Sequence, residues 1–232
     1  MGSFANFLEN MNWQGLLTAL FTAVAALICL TFHELSHGAM AYRLGDPTAK
    51  NAGRLTLNPI RHIDPLGLIL MITAHVGWAK PVPVDPRYFQ KPKAGMARTA
   101  LAGPVSNFLL AWVFLLLGRG MLQLFPFFAP VWPDWATWGM FYLIQFLVNA
   151  AVLSVGLGIF NLFPIPPLDG SKVLFAVLPD RAYNTLLRYE RFGMFLMLAA
   201  VWLGWLDRPL TFLIAHVVNF LGAISFWPYP LF

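Results

Sequence analysis

Charge is scarce in this 232-residue sequence: Asp, Glu, Lys and Arg together make up only 11% of it. A soluble domain carries roughly 25% charged residues, so an ordinary cytosolic enzyme is excluded, and so is a disordered chain. Cysteine is scarcer still. The one thiol, Cys29, lies inside an apolar run, which excludes an intrachain disulfide, a disulfide scaffold and a paired-cysteine redox motif. Acidic residues number 10 against 15 basic ones, giving a net charge of +5 and a pI of about 9.6. With so little polar surface to carry it, that excess does not describe a nucleic-acid binder, and no nucleic acid is expected as a partner. What fills the chain is apolar: 59% hydrophobic residues and a mean hydropathy of +0.66. This is the composition of an integral membrane protein, and its length allows about five to six spans.

The first apolar segment runs from Leu16 to Tyr42, or roughly 40 Å as a helix, enough to cross a bilayer. Glu9 and the lack of any Lys or Arg before it are wrong for a signal peptide, so a retained span is expected. Residues 43–98 differ in kind. They hold nine of the fifteen basic residues, and Leu66–Val76 within them is too short for an ordinary span. Ala52–Leu57 and Val82–Val84 are punctuated by Gly and Pro and predict short strands or a hairpin. Three apolar regions follow: Ala97–Leu117, interrupted at Gly103-Pro104; Trp138–Phe163, behind the interfacial aromatics Trp132, Trp135 and Trp138; and a closing pair, Phe192–Leu206 and Leu210–Phe226, turned around Asp207-Arg208-Pro209.

The expected fold is therefore an all-α polytopic membrane protein with a small membrane-associated β or re-entrant segment after the first helix. It forms one domain over residues 1–232, with a catalytic core at about 16–180 and accessory helices at about 190–228. Besides residues 43–98, the basic connection is 172–191, with Lys172, Arg181, Arg188 and Arg191. The positive-inside rule puts both stretches in the cytoplasm and the N-terminus outside.

The chemistry begins at His33-Glu34-Leu35-Ser36-His37. Residues four apart on a helix are rotated by about 400°, so both imidazoles leave one face within reach of one metal ion. Glu34, about 100° further round, is free to act as a base without ligating. Ionisable groups near the end of an apolar span are costly in lipid and mark function rather than a simple interfacial helix end. Two histidines need a third protein ligand. His62 lies in a basic polar stretch, His75 beside a glycine turn and His216 alone in a late span, and each reads as a packing or interfacial residue. Asp169 is better placed. Pro164, Pro166 and Pro167 must end the helix before it, and irregular backbone at membrane depth is tolerated only inside protein or along a wet cavity. Gly170 would let the chain turn behind it. The plainer alternative makes Asp169 the N-cap of a helix over Ser171–Leu178.

Together the intramembrane HExxH, Asn161-Leu162-Phe163-Pro164-Ile165-Pro166-Pro167-Leu168-Asp169-Gly170, Gly103-Pro104-Val105-Ser106-Asn107 and Gly77–Val84 resemble the site-2 protease family of intramembrane zinc metalloproteases. The resemblance covers roughly residues 16–180. It is to the compact prokaryotic members, for no stretch is long and polar enough to be a PDZ or CBS domain. It implies one zinc ion per chain on His33, His37 and Asp169, with Glu34 as general base. It also implies Asn161 as the group that steadies the substrate carbonyl or oxyanion, and Asn107 as a further polar residue of the catalytic set.

The activity so implied is hydrolysis of peptide bonds in or near transmembrane segments of membrane proteins, with lipid as the surroundings. A substrate helix must unwind before attack, and the segment 52–84 is expected to pair with the unwound strand by β-augmentation. Two rivals use the same residues. A metal transporter or metal sensor also needs buried His and Asp, and a silent scaffold would bind membrane helices in the same groove. The substrate and the oligomeric state have no signature in the sequence.

Overall fold

The computed structural model describes residues 12–64, 80–179 and 190–226. The short apolar run 66–76, His75, and Gly77-Trp78-Ala79 lie outside the described residues. Helix α1, Trp13–Arg43, starts where the Asn12 side chain accepts from the Gly15 amide at 2.8 Å and ends on a basic residue that suits the helix C-terminus. A turn through Gly45, at φ +103°, leads to the short α2, Thr48–Asn51. Two 3-10 turns follow, Pro59–His62 and Pro86–Tyr88. The remaining helices are α3, Pro92–Phe128; α4, Asp134–Leu162; α5, Asp169–Ala176; α6, Glu190–Trp202; and α7, Asp207–Ile224.

Helices α1, α3 and α4 are each long and apolar enough to cross a membrane, and the bent pair α6–α7 adds a fourth span if counted as one. That is the all-α polytopic fold, with three to four candidate spans among the described residues against the expected five to six. The pair bends by 84°. The bend falls at 203–206, where Gly204 has φ +69°, rather than at Asp207-Arg208-Pro209, which form the first turn of α7. Leu16, Leu20 and Val24 on α1 and Leu109, Val113 and Leu116 on α3 are exposed, as lipid-facing side chains must be.

Two expectations need correction. Gly103-Pro104 does not interrupt the middle span, because α3 runs unbroken from Pro92 through a buried Pro104 to Phe128. One missing amide proton removes a single helical bond, which packing on both sides outweighs. Secondly, no strand forms at 52–57 or 82–84 among the described residues. Gly53 sits at φ +65° directly after α2, and Pro81 and Pro83 leave Val82 as the one amide donor in 81–83. The irregular chain is pinned instead by separate bonds. The Lys80 amide donates to the His62 carbonyl at 2.9 Å, Arg54 donates to the Lys80 carbonyl at 2.5 Å, and the Asp85 amide donates to buried Asp46 at 2.8 Å.

Helix α3 is the centre, packing on α1, α4 and α5. Small residues let the backbones close in: Ala25, Cys29, Ala111, Ala150 and Ala151 are all fully or almost fully buried. Ser154 of α4 donates to the Asn107 carbonyl of α3 at 2.8 Å, locking these two helices beside the histidines. The core itself spans α1, α3, α4 and α7.

Candidate metal centre

Helix α1 presents His33 and His37 one turn apart, both buried, toward a stripe of α3 made by Thr99, Gly103 and Asn107. These three are also spaced four apart and so share a face. Each imidazole is anchored through Nδ1. His33 meets Oδ1 of Asn107 at 2.9 Å, and His37 meets the Thr99 carbonyl at 2.7 Å. Carbonyl oxygens only accept, so both Nδ1 atoms donate, and in the neutral imidazoles that metal ligation requires each Nε2 keeps a lone pair.

The third group arrives from α4 by way of the proline break. Helix α4 stops at Leu162, residues 163–168 run without helix, and α5 begins at Asp169. Leu168 holds the N-cap position, and Asp169 is the first helical residue. Its carboxylate is not capping. Oδ2 lies 3.2 Å from Nε2 of His33 and 3.0 Å from Nε2 of His37. Gly170 is needed for closeness rather than for turning, since a Cβ there would overlap the Leu162 carbonyl and come within 2.6 Å of the Phe163 oxygen.

The two Nε2 atoms stand 3.0 Å apart, and with both protons committed to Nδ1 this is not a hydrogen bond. With both imidazoles neutral, three electron-pair donors converge with no proton between them, and nothing else in the structure donates to buried Asp169 Oδ2. Such a triangle repels itself unless a cation lies at its centre. Two imidazole nitrogens and a carboxylate oxygen suit zinc, and ligands at about 2.0–2.1 Å from one tetrahedral ion stand about 3.3 Å apart, close to the separations here. Among the described residues this is the one group of three His, Cys, Asp or Glu side chains that could hold a metal ion.

Around the triad lies a cavity of about 280 Å³, lined also by Glu34, Pro81, Val82, Met96, Asn161 and Lys172. Glu34 is half-buried, and its Oε2 accepts from the Val82 amide at 2.8 Å. Asn161, on the last turn of α4, donates to the Leu157 carbonyl at 2.9 Å and keeps its second amide hydrogen. Lys172 Nζ sits 3.6 Å from Asp169 Oδ1.

The six expected site residues are therefore brought together, five on the cavity and Asn107 behind His33. The other described histidines stay apart: His62 pairs with the Thr56 carbonyl, and His216 with that of Phe212. Four further contributors have a role at the site that the sequence does not assign. Gly103 is one, since a Cβ on it would overlap Nε2 of His37 and lie 2.6 Å from Cε1 of His33. The others are the Thr99 carbonyl, the Val82 amide and Lys172. The backbone groups have no residue-type signal, though the prolines flanking Val82 could have singled out its amide.

Comparison with known proteins agrees with this chemistry. The profile described as peptidase family M50 matches residues 21–204. YwhC of Bacillus subtilis, whose name describes a zinc metalloprotease, is 38% identical over 191 residues, covering 79% of this chain and 82% of YwhC. Rip2 of Mycolicibacterium smegmatis, named likewise, is 30% identical over 206 residues, or 86% of this chain and 73% of Rip2. RasP of Geobacillus kaustophilus matches over 73 residues at 36% identity, 28% of this chain and 17% of RasP. No solved structure is significantly similar.

Proposed function

This chain belongs to peptidase family M50, the site-2 proteases, and on that premise we propose that His33, His37 and Asp169 hold its zinc ion while Glu34 serves as general base. It is a multi-pass membrane protein and an intramembrane zinc metalloprotease, a hydrolase of peptide bonds. The observation that supports the site most strongly is the buried triangle of three acceptors with no proton to share, opening on the same cavity as a carboxylate that does not ligate.

When bound, zinc supplies Lewis acidity, polarising a carbonyl oxygen and making water easier to deprotonate. Glu34 takes the proton from the attacking water and delivers it to the leaving amine. The Val82 amide holds one carboxylate oxygen of Glu34, a residue that lines the cavity, and leaves the other free to take a proton. Asn161 offers its remaining amide hydrogen to the developing oxyanion. Asn107 does not reach the cavity and acts as a positioning residue, holding His33 in the tautomer that leaves Nε2 bare.

The substrates are transmembrane segments of other proteins. The cleft is supported as their site by the irregular chain that lines it at Pro81, Val82 and Val84, against which a locally unwound helix can lie. One domain carries the activity, with residues 16–180 as core and α6–α7 as accessory helices. Residues 43–98 and 172–191 face the cytoplasm by charge bias, with the N-terminus outside. A transporter would require further ligand sets along a path, whereas the described residues hold a single set.

The full chain purified in detergent is expected to hold about one zinc per chain. It should cleave a model transmembrane substrate, lose that activity to a chelator and regain it with added zinc. A chain that binds zinc yet cleaves nothing would put metal handling ahead of proteolysis. Asn107→Ala is expected to weaken zinc binding by about 10–100-fold, as loss of an outer partner does at other sites. Asn107→Asp, which still accepts from Nδ1, should recover most of it. Chelator-competition titrations of both variants would settle the point, and unchanged affinity in Asn107→Ala would remove the positioning role.

A further inference from the structure

A second cavity, of about 380 Å³, lies where α1 ends and α3 begins, away from the metal centre. Arg43, Lys91 and Arg98 line it, and no acidic residue does. Among the described residues none of these three side chains makes a hydrogen bond or an ion pair. Acids of the same region are spent elsewhere. Buried Asp46 accepts from the Asp85 amide and from the amide and hydroxyl of Thr48, and Asp85 is paired with Arg87 at 2.6 Å. All three are solvent-exposed, so water screens their mutual repulsion, and what they supply to the hollow is a field of one sign that favours an anion seated among them.

The backbone adds to the same preference. The first turn of α3, a 37-residue helix, has neither an acidic residue nor a side-chain cap, so its positive end faces the cavity uncompensated. The opposing C-terminal carbonyls of α1 are already satisfied, because Leu44, Gly45 and Asp46 amides donate back to Met40, Ala41 and Tyr42. The floor is apolar, formed by Leu44, Phe89, Ala94 and Gly95. Exposed Tyr42 and Tyr88 stand nearby in sequence, as aromatics do at the level of lipid headgroups.

We propose that Arg43, Lys91 and Arg98 form a binding site for a phosphate group at the membrane surface, and that an anionic phospholipid headgroup supplies it. The apolar residues of the lining suit the start of the acyl chains of such a lipid, and the site joins the end of α1 to the start of α3. A basic hollow between the ends of spanning helices has the chemistry for this class of ligand.

The test uses the full chain in a neutral detergent, titrated separately with dihexanoyl phosphatidylglycerol, dihexanoyl phosphatidylcholine and inorganic phosphate. Phosphatidylglycerol is expected to bind at least tenfold more tightly than phosphatidylcholine. Arg43→Gln, Lys91→Gln and Arg98→Gln should each lose about fivefold of that binding, as one cation near an anionic surface is worth. Lys50→Gln, a basic residue outside the cavity, should lose none. Zinc content unchanged in each variant certifies that the fold is intact, and the single variants carry the test if a triple variant does not fold. Should inorganic phosphate bind the wild type, depend on the three residues and compete with the lipid, the phosphate site stands and solution is a second source. Equal affinity for the two lipids with no phosphate binding, or selectivity that survives all three substitutions, overturns the proposal.

Discussion

Glu34→Gln is expected to keep its zinc and lose cleavage by about 10²–10⁴-fold, the usual contribution of a positioned general base. The substitution is close to isosteric. Its amide oxygen can still accept from the Val82 amide that now bonds the carboxylate at 2.8 Å, so residues 80–84 stay where they are. His33, His37 and Asp169 are untouched, along with the Asn107 and Thr99 anchors, so affinity for the metal should not move. Only the ability to take a proton from water disappears. Zinc per chain and cleavage rate, measured side by side on wild type and variant, separate the possible roles. A variant that cleaves at more than a tenth of the wild-type rate rules Glu34 out as the base. One that loses zinc together with activity makes it a ligand instead.

Gly103→Ala should do the opposite, abolishing zinc binding and activity together while leaving the helices formed. The added methyl would occupy the space of the His37 ring and approach His33 to 2.6 Å. Contacts under about 3 Å between carbon and a ring held on both sides cannot be relieved by a small rotation. The rings cannot turn without breaking their Nδ1 bonds. Helix α3 cannot back away without taking Thr99 and Asn107, the acceptors of those bonds, with it. Either response opens the triangle, so a loss of more than about 100-fold in zinc affinity is expected, beyond what removal of a single outer partner costs. Gly120→Ala on the same helix is the control. A Cβ there meets nothing within 4 Å, and Ala is the better helix former. Circular dichroism should match for all three proteins, and full zinc content in Gly103→Ala would show that the approach of α3 is not as close as described.

A good part of this site is legible in the order of residues, because helical spacing and the cost of charge in lipid are local rules. Leu16–Tyr42 announces a span by apolar length alone, and the structure extends it only to Trp13–Arg43. His33 and His37 share a face by periodicity. Pro164, Pro166 and Pro167 end α4, as rings without amide protons must, and Asp169 follows the break. What chain order does not contain is distance between remote segments. Proline at 104 reads as a break in isolation, yet the helix continues through it because neighbouring helices pack on both sides. Ala52–Leu57 has the composition of a strand, yet without an adjoining edge among the described residues it is held by single bonds to side chains and turns instead.

The same division runs through the metal centre. Residue type and spacing alone determined that this chain lies in a membrane, that two imidazoles face one way, and that an acid stands beyond a proline-broken helix. Tertiary structure alone decided that Asn107 and the Thr99 carbonyl take the Nδ1 protons, leaving three bare acceptors about 3 Å apart. It also decided that position 103 admits no side chain, because two helices 62 to 74 residues apart in sequence approach there to within the width of a glycine. Hydrophobicity and periodicity act along the chain, whereas tautomers and close approach depend on what lies across the gap between helices.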